Sequence, residues 1–160
     1  MSITADLPFP ECTPDAEPYW VGLTEGRLLL QTCGHCGKIR HYPRPLCDAC
    51  YSMDVTWTES TRRGRLFSWT VAHHAFHPAF KDRLPYTLAM VELEEGVRVN
   101  VQLQDSPSAM LMAGLPVVIN ISDLGGGLIL PVASLSATPD AQPNQNSSRQ
   151  PNPNRTLKEH

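Results

Sequence analysis

The sequence predicts a mainly β chain made of an N-terminal helix, a rubredoxin-like zinc ribbon and a five-stranded OB-fold barrel. Three observations predict it. A short aromatic stripe at helical spacing, Tyr19, Trp20 and Leu23, stands ahead of everything else. Two Cys-x-x-Cys pairs, Cys33-Gly34-His35-Cys36 and Cys47-Asp48-Ala49-Cys50, follow with ten residues between them. Strand-like stretches then succeed one another from Gly64 to about Leu135.

Composition bounds the reading. With 160 residues, 41% hydrophobic and 18% charged, the chain can bury a core, which excludes wholesale disorder. No apolar run reaches the length of a membrane-spanning helix, so no span is expected. Met1-Ser2-Ile3-Thr4-Ala5-Asp6 has neither a positive charge nor an apolar core, so no secretory signal is expected. Five cysteines, an odd number, then point to a reducing compartment, and the cytoplasm is the expected location. The formal net charge of −3 argues against a surface built for polyanions.

The elements follow in order. Residues 1–14, with Pro8, Pro10 and Pro14, read as an irregular arm. Residues 15–60 read as the helix and ribbon, with Asp15 as N-cap, Pro18 in the first turn and Gly26 as C-cap. Residues 61–135 read as the barrel. Arg65–Val71 and Tyr86–Leu93 form its first two strands. The third alternates Val97, Val99, Val101 and Leu103 with Arg98, Asn100 and Gln102. Glu94-Glu95-Gly96 is the tight turn before that third strand. After it, Ser106–Leu115 reads as a short helical insert closed by Gly114. Val117, Ile119 and Ile121 mark the fourth strand, and Gly125-Gly126-Gly127 turns the chain into Leu128–Ala133. Five strands with a helical insert after the third is the OB order; a generic five-stranded sandwich is the alternative. Residues 136–160 hold four Pro, four Asn, three Gln and one large apolar residue, Leu157, and are expected to form a disordered tail.

The cysteine pairs carry the strongest chemistry. Each pair makes a knuckle that points two thiolates at one ion, so Cys33, Cys36, Cys47 and Cys50 are the candidate ligands of one closed tetrahedral site. Zinc is the expected ion, and iron satisfies the same ligands. Gly34 and Gly37 are expected to relieve the turning backbone and to donate N–H groups to sulfur. Zinc with four thiolates carries a formal charge of −2. Lys38, Arg40, His41 and Arg44 lie between the knuckles and can offset it; alternatively Arg40 or Arg44 faces outward to bind a phosphate or an acidic partner. His35 reads as a solvated loop residue, and Cys12 as a free thiol without a role.

His73-His74-Ala75-Phe76-His77-Pro78 is the other cluster that invites a chemical reading. If the preceding strand continues, His73 and His77 share a face, but roughly 13 Å apart by the rise per residue, too far to share an ion. Phe76, His77, Phe80 and Arg83 form an aromatic and basic loop suited to contact a partner or an adenine–phosphate group. No phosphate loop, nucleophile elbow or zinc-hydrolase motif accompanies them. No catalytic residue is assigned.

The ordered set of stretches resembles the acyl-CoA-associated family that joins a rubredoxin-like zinc ribbon to an OB-fold, once catalogued only as a domain of unknown function. The matching stretches are Glu17-Pro18-Tyr19-Trp20, Gly26-Arg27-Leu28, Tyr42-Pro43-Arg44-Pro45-Leu46-Cys47 and Gly64-Arg65-Leu66-Phe67-Ser68-Trp69-Thr70-Val71. Pro85-Tyr86, Val91-Glu92-Leu93 with Glu95-Gly96, and Gly114-Leu115-Pro116-Val117 complete the set, over about residues 15–133. Tyr51 departs from it, since such ribbons often carry a second knuckle Gly there. The resemblance implies a noncatalytic companion of a thiolase-like enzyme, an acyltransferase or an aldolase acting on acyl-CoA, including steroid side chains. Tyr19, Trp20, Arg40, Arg44, His73, Phe76, His77, Phe80 and Arg83 are then the candidate contacts to that partner or to CoA. The competing class is a nucleic-acid-binding ribbon and barrel, supported by Arg62, Arg63 and Arg65.

Overall fold

The computed structural model describes residues 7–104 and 110–136. A 3-10 turn, Pro14–Ala16, leads into helix α1, Glu17–Thr24. The ribbon is a three-stranded antiparallel sheet of β1 (Leu29–Cys33), β2 (Ile39–Arg40) and β3 (Val55–Glu59), ordered β2-β1-β3. The barrel comprises β4 (Arg63–Ala72), β5 (Tyr86–Leu93), β6 (Arg98–Leu103), β7 (Pro116–Asp123) and β8 (Ile129–Leu135). Its strands close in the order β4-β5-β6-β8-β7, so it is a barrel and not a sandwich.

Closure depends on one parallel contact. β6 pairs with β8 through Gln102↔Val132 and Leu103↔Ala133, while the other barrel seams are antiparallel. The period-two pattern fills the interior. Ala89, Val91 and Leu93 from β5, Val99, Val101 and Leu103 from β6, and Val117 and Ile119 from β7 are all buried. Between β5 and β6, Gly96 takes φ 78° and its N–H reaches Leu93 O at 2.9 Å, the tight turn expected there.

Helix and ribbon share this core. Tyr19, Leu23, Leu28 and Leu30 belong to the same buried cluster as the barrel residues. Burying each such side chain contributes about 1.5–3 kcal/mol, which fixes ribbon to barrel. Among the described residues no helix is long and apolar enough to cross a membrane.

Several local expectations are corrected. Asp15 lies inside the 3-10 turn, and α1 begins after Ala16 with no side-chain cap. Pro at the first turn already lacks the N–H that a cap would satisfy. At the other end Gly26 closes the helix as expected: directly after Glu25 it takes φ 75° and donates its N–H to Leu23 O at 3.1 Å. β4 ends at Ala72, so the chain leaves the strand before His73; the face shared by His73 and His77 does not exist. Residues 106–109 of the expected insert lie outside the described residues, as do residues 137–160 of the tail; Leu111 is buried, and Ser136 donates its N–H to Pro116 O at 2.9 Å.

Candidate functional site

The four cysteines converge. Cys33 ends β1, Cys36 lies in the turn after it, and Cys47 and Cys50 come from the loop between β2 and β3. The Sγ atoms of Cys33 and Cys50 are 3.6 Å apart, as are those of Cys36 and Cys47, and all four lie within 4.8 Å of one another. A tetrahedral ion with bonds near 2.3 Å needs thiolate separations of about 3.8 Å. The donor set therefore fits a closed four-thiolate metal site. This is the one cluster of metal-ligand type found among the described residues.

The two knuckles repeat the same backbone bonds. Gly37 N–H donates to Cys33 O at 2.9 Å, and Tyr51 N–H donates to Cys47 O at 2.9 Å. Cys33 N–H donates to Lys38 O, and Cys47 N–H to Ser52 O. The N–H groups of Cys36 and then His35 favour the Cys33 thiolate, and those of Ala49 and Cys50 bring the Cys47 thiol down to about 6. The expected glycine donors are thus corrected: the sulfurs take N–H groups from elsewhere in each knuckle, and Gly34 N–H goes to Asp54 O at 2.9 Å. Lys38 Nζ reaches Asp48 Oδ2 at 2.6 Å and ties one knuckle to the other. His35 is exposed in its loop, and Cys12 is an exposed free thiol.

Arg40 does not face outward. It is 6% exposed, and its Nε donates to Gln31 Oε1 at 2.5 Å while Nη2 donates to Arg44 O at 3.2 Å. It cannot bind a partner from there, which corrects its place among the candidate contacts. Arg44 is exposed, with its N–H on Gln31 Oε1 at 2.9 Å.

A second feature lies where helix, ribbon and barrel meet. A cleft of about 320 Å³ is lined by Tyr19 and Trp20 of α1, Tyr42 of the ribbon, and Phe80, Tyr86 and Leu88 of the barrel. Asn100, Gln102, Leu124, Leu130 and Pro131 complete its barrel side. Tyr86, Leu88, Asn100 and Gln102 come from the second and third barrel strands, Phe80 and Leu124 from the first and last barrel loops, and Leu130 and Pro131 from β8; the strands and loops of the first two groups are the general ligand face of an OB-fold. Tyr19 meets Trp20 edge-on at 5.1 Å and His41 at 5.4 Å. Burial holds the Tyr19 hydroxyl above its usual range and the His41 imidazole down to about 4.

The loop between β4 and β5 supplies one wall. Its Pro78–Arg83 segment is a 3-10 turn, and His77 caps it by accepting the Ala79 N–H on Nδ1 at 3.3 Å. Phe80 stands 6.0 Å from Tyr86, and Arg83 donates to Leu124 O at 2.7 Å across the mouth. Phe76 is 95% exposed and touches His74 edge-on; His73 and His74 are exposed as well. The structure thus brings Tyr19, Trp20 and Phe80 to one cleft with Arg83 beside it, and leaves Phe76 and His73 on the outer surface. Sequence reasoning missed Tyr42, Tyr86 and Leu88. The signal was present in β5, where Tyr86, Leu88 and Met90 alternate with the buried Thr87, Ala89 and Val91.

The basic residues that suggested nucleic acid are engaged within the chain. Arg63 pairs with Glu94 at 3.4 Å, Arg62 donates to Gly26 O at 3.4 Å, and Arg65 donates to Gly114 O at 3.1 Å.

A four-cysteine ribbon packed by one helix onto a closed five-stranded barrel defines a zinc-ribbon/OB-fold protein. Residues 20–56 match the ChsH2 rubredoxin-like zinc ribbon domain, and residues 57–122 match the ChsH2 C-terminal OB-fold domain. A solved chain described as "Ltp2-ChsH2(DUF35) aldolase" superposes with a TM-score of 0.72 at 35% identity, covering 79% of this chain and 98% of that one. The chain belongs to the ChsH2 ribbon-and-barrel family, also called DUF35. It is 36% identical over 125 residues to a "Probable enoyl-CoA hydratase alpha subunit" of Thermomonospora curvata, matching 78% of this chain and 39% of that protein. It is 35% identical over 109 residues to the "3-oxo-4,17-pregnadiene-20-carboxyl-CoA hydratase alpha subunit" of Mycobacterium tuberculosis, matching 68% of this chain and 34% of that protein. The chain thus spans little more than a third of the length of these two relatives.

Proposed function

We propose that this chain is a noncatalytic, acyl-CoA-associated subunit that binds and supports a thiolase-fold enzyme. That enzyme is an acyltransferase or an aldolase acting on acyl-CoA, in the degradation of steroid or other lipid side chains. The observation that carries the reading is the likeness, over 79% of this chain and 98% of the other, to a solved chain described as "Ltp2-ChsH2(DUF35) aldolase". Two further relatives are described as subunits, both of acyl-CoA hydratases.

The parts divide the work. Cys33, Cys36, Cys47 and Cys50 hold one zinc ion, which fixes the ribbon and takes no part in chemistry. Phe76, Phe80 and Trp20 anchor the catalytic partner, with Tyr19 behind them. His77 and Arg83 stand beside Phe80, and with Arg44 and His73 they serve the anionic part of an acyl-CoA held between the two subunits. The work belongs in the cytoplasm, where thiols stay reduced. The nucleic-acid reading is disfavoured because the cleft on the barrel's ligand face presents aromatics, leucines and amides in place of Lys and Arg.

The test is co-purification of the full chain with its partner, followed by acyl-CoA turnover by each subunit alone and by the mixture. Activity restored only in the mixture is expected. Turnover by this chain purified free of partners would overturn the reading, as would salt-dependent binding of single-stranded oligonucleotide without any thiolase-like partner.

A further inference from the structure

Arg40 is a buried cation without a carboxylate. Its Nε and Nη2 reach the neutral acceptors Gln31 Oε1 and Arg44 O, and Nη1 is buried with no hydrogen-bond partner. None of the ion pairs among the described residues includes it. A guanidinium removed from water costs several kcal/mol unless an opposite charge stands near it. Such a residue needs an anion, and the chain supplies one close by.

The register shows where. Arg40 on β2 lies opposite Gln31 on β1, and Cys33 follows two residues later on the same face of that strand. Diagonal neighbours of this kind are roughly 7–8 Å apart. Arg44, whose carbonyl holds the guanidinium, is three residues from Cys47. The guanidinium is thus fastened between the strand that delivers the first knuckle and the loop that delivers the second. A divalent ion with four thiolates is a dianion, buried at Cys33 and Cys47. Lys38, the other cation bonded at the knuckles, also acts on Cys47 and Cys36, but it is exposed, screened by water and paired with Asp48.

We propose that Arg40 is the counter-cation of the four-thiolate site and sets both how tightly the ion is held and which ionic charge is preferred. The inference rests on the reading that the four cysteines hold an ion. A fixed positive charge stabilises the dianion formed with a divalent metal more than the monoanion formed with a ferric ion. Arg40 therefore favours zinc or ferrous iron over ferric iron. It acts through the field at the thiolates and touches no metal, so it is a positioning and tuning residue.

Gln31→Glu separates this role from simple bracing. The new carboxylate accepts the same two donors, Arg40 Nε and the Arg44 N–H, and cancels the guanidinium charge in place. If Arg40 only braces the loop, the brace becomes stronger and the metal is held as before. If Arg40 serves the ion, the dianion loses its counter-charge and gains a repulsive neighbour. The experiment first measures one metal per parent chain; a parent without metal removes the underlying reading and is distinct from failure of this one. Zinc affinity is then measured by chelator competition, and the ferric/ferrous midpoint potential on the iron-loaded chain, for the parent, Arg40→Lys, Arg40→Met and Gln31→Glu. Roughly tenfold or greater loss of zinc affinity is expected in Arg40→Met and Gln31→Glu, the size typical of groups just outside a metal's ligands. Their potentials should fall, and Arg40→Lys should stay near the parent in both. Unchanged affinity and potential in Gln31→Glu would overturn the proposal, whether or not Arg40→Met folds.

Discussion

Tyr51 stands in the second cysteine knuckle where Gly37 stands in the first. Both lie four residues after the leading cysteine, both donate their N–H to its carbonyl at 2.9 Å, and both adopt the left-handed conformation, with φ 59° and 72°. Glycine takes that conformation freely, whereas a side chain with a Cβ costs about 1–2 kcal/mol there. The Tyr51 ring is 77% exposed and recovers little by packing. Tyr51→Gly should therefore stabilise the metal-loaded chain by about 1 kcal/mol, a rise of roughly 3 °C in melting temperature. A lower melting temperature at equal metal content would show that the ring does hold the knuckle.

Such equivalences mark how much was legible. Cysteine spacing is local, so the convergence of the four thiols could be read directly. The turn at Gly96 and the β5–β6 alternation are also local, and both strands appear where the pattern put them. The fate of Arg40 was not legible, because its burial depends on Gln31 across a strand pair and on Arg44 in the following loop. The cleft was legible only in part. Tyr19 and Trp20 stood out by helical spacing, but their meeting with Tyr42 and Tyr86 depends on how ribbon and barrel pack. The pattern of the first barrel strand runs to Val71 and the strand ends at Ala72, so the condition under which His73 and His77 would share a strand face is not met.

Metal loss should unfold the ribbon. Cys47 is fully buried and contributes one of four converging thiols. Cys47→Ser should abolish binding of the single ion and expose the ribbon to protease, because binding free energy here is folding free energy. Elemental analysis of freshly purified parent protein should give one zinc or iron per chain. A metal-free parent with full thermal stability would refute the assignment.

Stability should fall with acid through His41. Burial between Tyr19 and Tyr42 holds its imidazole neutral down to about 4, against an ordinary 6.5. The unfolded chain takes up the proton first as pH drops. The contribution is therefore fully present above pH 6.5, is lost as pH falls from there toward 4, and totals about 3 kcal/mol. Acid also protonates the thiolates, so the test compares slopes: urea unfolding from pH 7.5 to 5 at fixed zinc, in the parent and in His41→Gln. The variant should show the shallower decline. Equal slopes would mean that His41 is solvated and titrates normally in the folded chain.

Partner docking should depend on the aromatic surface without involving the metal. Phe76 is the cleanest probe, being 95% exposed; its truncation removes almost nothing from the chain's own packing. Phe80 of the barrel loop and Trp20 of the helix both line the cleft, so one partner segment seated there would meet both. An aromatic anchor desolvated at an interface commonly contributes about 2 kcal/mol, equivalent to roughly thirtyfold in affinity. Phe76→Ala, Phe80→Ala and Trp20→Ala should each weaken assembly with the proposed thiolase-like partner by about that factor while keeping one metal per chain. Trp20 also packs on the buried core, so its variant should lose some thermal stability as well, whereas Phe76→Ala should not. Titration calorimetry with the purified partner, alongside metal analysis of each variant, reads both quantities. Three variants that bind as tightly as the parent would move the docking surface away from this end of the barrel.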